Sequence, residues 1–199
     1  MNIGIIDYGM GNLKSVSNAL KFIGISHFVS SEIKTLAKAD GIILPGVGAF
    51  ADAIALLREK HLDSFLKEIH EAHLPLLGIC LGMQLVFDSS SEFGTHKGLS
   101  LMKGDIVKLE VNQKIPHMGW NRLEIKKEAP LFKGLPENSY VYFVHSYHLQ
   151  TEEDIVSATT YYGKEIQIAA QEKNTFALQF HPEKSGDIGL QILKNFANV

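Results

Sequence analysis

The only cysteine among the 199 residues, Cys80, lies in the stretch GICLG (residues 78–82), directly after the apolar run Leu74–Ile79. Glycines two residues before and after a nucleophile, between a strand and a helix, are typical of a nucleophile elbow. In this strained turn the strand and helix converge too closely for a Cβ atom. The N-terminus of the following helix would favour the thiolate. A buried structural cysteine is the alternative, but the pattern favours nucleophilic catalysis.

A cysteine nucleophile needs a base, and the tripeptide His181-Pro182-Glu183 offers one. Pro182 favours an extended backbone at His181. Residues two apart in an extended segment project to the same side, so Glu183 can orient the imidazole. Both side chains follow the predicted strand Thr175–Phe180, and sites in α/β folds are usually built at strand ends. The sequence therefore predicts a Cys80–His181–Glu183 triad.

An oxyanion hole requires two N–H donors near the nucleophile. One is the backbone N–H of Leu81, directly after Cys80. The second is predicted in the segment PGVGAF (residues 45–50), where Val47 or Gly48 is the donor and the glycines permit a close approach to a substrate. A phosphate-binding loop is the alternative, but the Lys-Ser/Thr of that motif is absent.

The elements that position these residues change character along the chain. The first half alternates strands with helices, which predicts a parallel sheet covered on both faces: strands Ile3–Ile6, Ile25–Ser30, Gly41–Leu44 and Leu74–Ile79, with helices from Asn12 and over Ala49–Arg58 and His61–Ala72. The second half is rich in short β segments: Asp105–Val111, Tyr140–Val144, Ile155–Thr160, Ile166–Gln171 and Thr175–Phe180. A last helix follows Ser185 as its N-cap. We expect a single α/β domain over residues 1–199, with a mostly parallel sheet and additional antiparallel strands.

Composition excludes several classes of protein. The chain is 45% hydrophobic and 21% charged with a net charge of −3, and no basic run suggests nucleic acid or an anionic membrane as a partner. A single cysteine cannot form an internal disulfide, which fits the cytoplasm. Neither a signal peptide nor a membrane span is expected. His145 and His148 have no accompanying ligand cluster, so no metal site is predicted.

Six motifs in order resemble those of the class I, triad-type glutamine amidotransferases: DYGMGNLKSV (7–16), LPGVGAF (44–50), GICLGMQ (78–84), PHMGWN (116–121), FVHSYH (143–148) and FHPEKSG (180–186). GxCLGxQ with HPE is typical of the whole family. DYGMGNL and HMGWN resemble, within it, the glutaminase subunits of imidazole glycerol phosphate synthases of histidine biosynthesis. At His148 an aromatic residue is equally expected, which leaves the role of His148 open.

The resemblance implies that glutamine is hydrolysed to glutamate and ammonia through a thioester on Cys80, without a cofactor. The ammonia would pass to a partner, a (β/α)8-barrel cyclase that forms imidazole glycerol phosphate and aminoimidazole carboxamide ribotide. It also implies a substrate site made of Gly46, Gly48, Gln84, Glu92, His145, Ser146 and Tyr147. Glu92 suits the substrate ammonium; without the resemblance it would be interpreted as a solvated loop carboxylate.

The segment Pro116–Asn121 contains the only tryptophan, Trp120. Its proline and glycine predict a turn, and Met and Trp in such a segment are typical of interface anchors. The resemblance places the whole segment against the cyclase: Pro116, His117, Met118, Gly119, Trp120 and Asn121. A core tryptophan is the alternative. Other functions left open are a glutaminase of vitamin B6 or anthranilate synthesis, a cysteine peptidase, and a non-enzymatic redox-sensing module.

Overall fold

The computed structural model describes residues 1–199. The strands are β1 (Ile3–Ile6), β2 (His27–Ser30), β3 (Gly41–Gly46), β4 (Leu76–Cys80), β5 (Ser89–Ser90), β6 (His96–Lys97), β7 (Asp105–Lys108), β8 (His117–Arg122), β9 (Glu124–Ile125), β10 (Tyr140–His145), β11 (Tyr147–Gln150), β12 (Val156–Tyr161), β13 (Glu165–Glu172) and β14 (Thr175–Leu178). The α-helices are α1 (Leu13–Phe22), α2 (Ile33–Leu36), α3 (Phe50–Glu59), α4 (Leu62–Glu71), α5 (Leu81–Leu85) and α6 (Gly186–Phe196), and 3-10 turns span Pro130–Phe132 and Pro182–Lys184.

The main sheet has a parallel half and a largely antiparallel half. Strands β2, β1, β3, β4 and β14 are neighbours in that order and run parallel. The sheet continues through β13, β11 and β7, which pair antiparallel. Short crossovers through helices join the parallel strands of the N-terminal half, as expected for βαβ units. The predicted α/β class with added antiparallel strands is confirmed.

Both faces of the parallel half are buried because side chains alternate along each strand. In β3, Ile42 and Leu44 belong to a core that also contains buried residues of α3 and α4. Ile43 lies between them in sequence and belongs to the opposite core, which contains residues of α1 and α6. No helix has both the length and the apolar character that a membrane crossing requires.

One local prediction was wrong. The segment Pro116–Asn121 is not a turn, because residues 117–122 form β8 and pair antiparallel with β10 in a separate two-stranded sheet. Its proline precedes the strand, where no ladder N–H is lost. The predicted helix after Cys80 is present as α5, with only five residues and hence a small dipole. Ser185 is the N-cap residue of α6, as predicted, although its side chain makes no capping hydrogen bond.

The elbow between β4 and α5 is held by a close crossing over β3. A Cβ atom on Gly82 would lie 1.8 Å from the carbonyl oxygen of Leu44, and one on Gly78 would lie 2.7 Å from the carbonyl oxygen of Gly82. Only glycine fits at these two positions. The predicted reason for both glycines is therefore confirmed.

This crossing predicts a large effect of one methyl group. Gly82→Ala should lower the free energy of unfolding by about 3 kcal/mol, because the new Cβ must displace the backbone of β3. Urea denaturation would measure the change. Gly41→Ala, in β3, is the control: the atom nearest its Cβ would be Sδ of the flexible Met1 side chain at 3.0 Å, and Pro75 would lie at an ordinary contact distance of 3.5 Å. Equal stability of the two variants would contradict the steric requirement at Gly82.

Candidate active site

A cavity of about 350 Å³ opens where the carboxyl ends of β3 and β4 meet the segment after β14. It is lined by Val47, Gly48, Cys80, Leu81, Gln84, Glu92, Pro116, Val144, His145, Ser146, Tyr147, His181 and Lys184. Most of the residues predicted for catalysis and substrate binding are thus brought together. Val144 and Lys184 were not predicted. Lys184 directly follows the His-Pro-Glu tripeptide, and this position could have indicated that it lies at the site. The position of Val144 at the cavity depends on the pairing of β10, which the sequence does not specify.

Cys80 is the last residue of β4 and lies directly before α5. Its backbone has φ 54° and ψ −110°, a conformation that non-glycine residues rarely adopt and that clusters at functional sites. The side chain is 8% exposed, and its Sγ lies 3.9 Å from the carbonyl oxygen of Val144 and 4.0 Å from Nε2 of Gln179. The thiol is therefore held in a tight turn beside the cavity, as the elbow pattern predicts.

His181 and Glu183 form a buried hydrogen-bonded pair. His181 is extended, with φ −98° and ψ 96°, and Pro182 begins a 3-10 turn that brings Glu183 back towards the ring. The His181 Nδ1 atom lies 2.8 Å from Oε1 of Glu183, whose side chain is 1% exposed. The carboxylate can only accept, so it fixes the proton on Nδ1. The second ring nitrogen, Nε2, is then the one available to Cys80.

The charge state of His181 follows from these partners. Burial alone would lower the pKa of His181, but the hydrogen bonds and negative charges of Cys80 and Glu183 outweigh burial and raise the pKa to about 10. The ring is therefore an imidazolium at neutral pH. A positive charge beside Cys80 is what a reactive thiolate requires.

Ser185 holds the backbone of His181 against β10. The Ser185 hydroxyl donates to the carbonyl oxygen of His181 at 2.6 Å and accepts from the N–H of Tyr142 at 3.0 Å. The N–H of His181 donates to the carbonyl oxygen of Tyr142 at 3.0 Å. Three bonds thus clamp the imidazole-bearing segment, which explains why this hydroxyl does not cap α6. The sequence gives no sign of this clamp, since Tyr142 is 43 residues away.

Two residues of the predicted oxyanion segment lie on the rim of the cavity. Val47 and Gly48 line the cavity, and Gly48 has φ 107°, which favours glycine. Gly46 does not line it: a Cβ there would lie 2.6 Å from the Tyr8 hydroxyl and 2.9 Å from Cβ of Leu81. Glycine at position 46 therefore meets a packing requirement, and its contact with a substrate stays a prediction. Leu81 begins α5, where N–H groups have no intrahelical partner.

Gln84 and Glu92 line the cavity with one acceptor left on each side chain. Gln84 Nε2 donates to the carbonyl oxygen of Tyr147 at 3.3 Å and to Oε1 of Gln179 at 3.1 Å, which uses both of its protons. Glu92 Oε2 accepts from the N–H of Phe50 at 2.6 Å and so caps the N-terminus of α3. Glu92 is therefore not a solvated loop carboxylate.

The opposite wall is formed where β10 turns into β11. His145, Ser146 and Tyr147 line the cavity, as the resemblance implies. His148 does not line it: the ring is buried, Nδ1 donates to the carbonyl oxygen of Leu149 at 2.7 Å and Nε2 has no partner. Burial lowers the pKa of His148. No group of three or more His, Cys, Asp or Glu side chains is arranged to hold a metal ion.

The predicted interface segment presents only alternate residues outwards. Met118 and Trp120 are 62% and 56% exposed, so the alternative of a core tryptophan is wrong. His117 points inwards instead and is 2% exposed, because residues two apart in β8 share a face. Its assignment as a contact residue is corrected. Pro116, Gly119 and Asn121 are half-buried.

The comparison with protein families decides the wider class of the chain. The family described as glutamine amidotransferase class-I matches residues 4–199. The chain belongs to the class I glutamine amidotransferases. The resemblance carried by the six sequence motifs is thereby confirmed.

Two similar proteins share one name that is more specific than the family. Imidazole glycerol phosphate synthase subunit HisH from Bacillus cereus (strain G9842) is 52% identical over 99% of this chain and 94% of its own length. The HisH subunit from Bacillus thuringiensis (strain Al Hakam) is 51% identical with the same coverage.

Solved structures are similar to this chain over nearly its whole length. A glutamine amidotransferase has a TM-score of 0.78 at 19% identity, with all of both chains covered. PurLQS from Thermotoga maritima has a TM-score of 0.79 at 18% identity, with 99% of this chain and 97% of that chain covered. At these identities the likeness concerns the fold alone.

The charge pairing predicts how the amidotransferase site responds to loss of the thiol. Cys80→Ala should lower the pKa of His181 from about 10, because it removes one hydrogen bond and one negative charge from the ring. NMR titration of the His181 ring would measure this. Thr35→Ala, a surface change on α2, serves as the control and should leave the titration unchanged. A His181 pKa that does not fall in Cys80→Ala would contradict the pairing.

Proposed function

We propose that this chain, as one catalytic domain, is the glutaminase subunit of a cytoplasmic imidazole glycerol phosphate synthase. The observation that carries the proposal is the meeting of Cys80 and His181 at one cavity, with His181 hydrogen-bonded to the buried Glu183 and held as a cation. A redox-sensing module would not need a buried carboxylate on the histidine. HisH relatives at 52% identity favour this pathway over vitamin B6 or anthranilate synthesis, and over peptide cleavage.

In the first half-reaction, the Cys80 thiolate attacks the side-chain amide carbon of glutamine. The resulting oxyanion accepts hydrogen bonds from the N–H groups of Leu81 and Val47 at the cavity rim. His181 then donates its Nε2 proton to the amide nitrogen, the C–N bond breaks and ammonia leaves. Cys80 now carries a γ-glutamyl thioester.

In the second half-reaction, neutral His181 removes a proton from water, and the hydroxide attacks the thioester carbon. The same donors stabilise the second oxyanion. The C–S bond breaks, glutamate leaves, and the Cys80 thiolate and His181 imidazolium are restored. Glu183 keeps the ring orientation through both steps by holding Nδ1–H, as the carboxylate of a catalytic triad does.

The free acceptors of the cavity suit the amino-acid end of glutamine. Both Nε2 protons of Gln84 are used within the protein, so only Oε1 can contact a substrate. Glu92 likewise retains one carboxylate oxygen after capping α3. Two acceptors, one of them charged, favour the α-ammonium group. The α-carboxylate would then lie towards the Ser146–Tyr147 wall.

The partner of such a subunit would be a (β/α)8-barrel cyclase, docked so that ammonia does not escape. HisH relatives are named as subunits of a synthase, which supports an assembly. On this chain, Met118 and Trp120 are exposed on the outer face of β8, which pairs with β10 beside the cavity. An exposed Trp and Met at the mouth of a site fit the anchor of an interface.

The nucleophile assignment predicts a separation of two activities. In the assembled enzyme, Cys80→Ala should abolish glutamine-dependent turnover, because no thioester can form, while turnover with added ammonium salts persists in the cyclase. Ammonia release and cyclase product formation would be measured on the same preparation. His70→Ala, on α4 away from the cavity, should leave both intact. Glutamine hydrolysis near the wild-type rate in Cys80→Ala would overturn the proposal.

The docking surface predicts a second separation. Trp120→Ala should weaken association with the cyclase by about 2 kcal/mol, about thirtyfold in Kd, because a desolvated anchor is lost. It should impair use of glutamine more than use of free ammonia. Phe22→Ala removes another exposed aromatic ring and is the matched control. Unaltered affinity in Trp120→Ala, with unchanged tryptophan emission on adding cyclase to the wild type, would exclude this surface.

A further inference from the structure

A buried chain of hydrogen bonds runs from β8 to the wall of the cavity. Asn121 Nδ2 lies 3.2 Å from Nε2 of His117, and Nδ1 of His117 lies 2.9 Å from Nε2 of His145. Nδ1 of His145 lies 2.8 Å from the carbonyl oxygen of Tyr147, which lines the cavity. The chain thus connects a strand that the catalytic chemistry does not use with the substrate wall.

The position of every proton in this chain follows from its last acceptor. The Tyr147 carbonyl can only accept, so His145 carries its proton on Nδ1 and accepts at Nε2. His117 must then donate from Nδ1 and accept at Nε2, where the Asn121 amide donates. The amide orientation agrees, because Nδ2 also donates to the carbonyl oxygen of Tyr161 at 2.9 Å and Oδ1 accepts from the N–H of Arg122 at 2.8 Å.

Both His117 and His145 are neutral, as the hydrogen-bond chain requires, because each ring must accept a hydrogen bond at Nε2. Burial lowers the pKa of His117 to about 4. Burial, partly offset by the bond to Tyr147, lowers the pKa of His145 to about 3. The His117 ring is also stacked between the rings of Phe143 and Tyr162, at centroid distances of 4.7 and 4.0 Å. Its orientation is therefore fixed by packing as well as by hydrogen bonds.

At the cavity, the hydrogen-bond chain ends on the Tyr147 carbonyl oxygen, which would otherwise repel an anion. The Tyr147 carbonyl accepts from His145 and from Gln84. The preceding carbonyl, of Ser146, accepts from the N–H of Leu109 at 2.8 Å. With both carbonyls engaged within the protein, neither is free to oppose the α-carboxylate of a substrate.

We propose that His117 is a positioning residue for the substrate site, acting through His145 to fix the Tyr147 peptide against which the amino-acid end of glutamine binds. This inference rests on the proposed function, because it takes glutamine as the substrate. The residue contacts neither the substrate nor the reacting atoms. Its role is to keep His145 in the one tautomer that can hold the wall.

The test uses three substitutions at one position, in the chain assembled with its partner subunit. His117→Phe keeps the stacked ring but removes the donor, and His117→Gln moves its amide beyond the place of Nδ1. His117→Asn puts an amide N–H near the place of Nδ1. In His117→Phe and His117→Gln, KM for glutamine should rise about tenfold while kcat stays within about threefold of wild type, because binding is lost equally in the ground state and the transition state. In His117→Asn, KM should stay within about threefold of wild type. His27→Phe is the control, because His27 also makes two ring hydrogen bonds but lies at the edge strand β2.

A second measurement does not depend on activity. Nitrogen NMR of the wild-type chain at pH 7 should show His117 and His145 both neutral and both protonated on Nδ1. An Nε2–H tautomer or a protonated ring at either residue would overturn the inference, as would an unchanged KM in His117→Phe or an equal rise in His117→Asn. Failure of the proposed function has a different signature, because the wild-type assembly would then hydrolyse no glutamine.

Discussion

The contact between Gly82 and the Leu44 carbonyl is the constraint on which the site depends. It lets α5 begin directly over β3, and this is possible only because residue 82 has no Cβ. At this crossing, Cys80 has φ 54° at the end of β4 and lies opposite Gly46 in the parallel ladder. The thiol and the segment of the proposed oxyanion donors are therefore neighbours as a consequence of strand register, without any bond between their side chains.

The small sheet of β8 and β10 links the remaining parts of the site. Its Tyr142 is bonded to the backbone of His181 and to Ser185, and its Val144 carbonyl lies beside Cys80. On the outer face of the same sheet lies Trp120, whose ring packs edge-to-face on Tyr142 at 6.1 Å. A partner docked on Trp120 would therefore contact the strand that holds the segment of His181, the proposed catalytic base.

The sequence predicted those features whose cause is local. Cys80 with its flanking glycines, and His181 with Glu183, are set by spacings of two residues, so pattern and covalent geometry suffice. The parallel half of the sheet followed from the alternation of strands and helices. The Ser185 clamp and the His117–His145 pair join residues 43 and 28 positions apart, and their contacts depend on a sheet pairing that no local pattern specifies. The close packing of Gly46 against Tyr8 likewise depends on tertiary structure, so no local pattern could predict it.

Three histidines near the cavity show how partners, rather than residue type, decide charge. His181 has a thiol and a carboxylate beside it and its pKa is raised, whereas His117 and His145 have only neutral partners and their pKa values are lowered. A second cation at His145 would oppose the charge on His181 and would compete for the thiolate. Because the Tyr147 carbonyl and the His117 ring can be satisfied by a neutral His145 alone, the hydrogen-bond chain confines the positive charge to His181, the imidazole proposed to transfer protons.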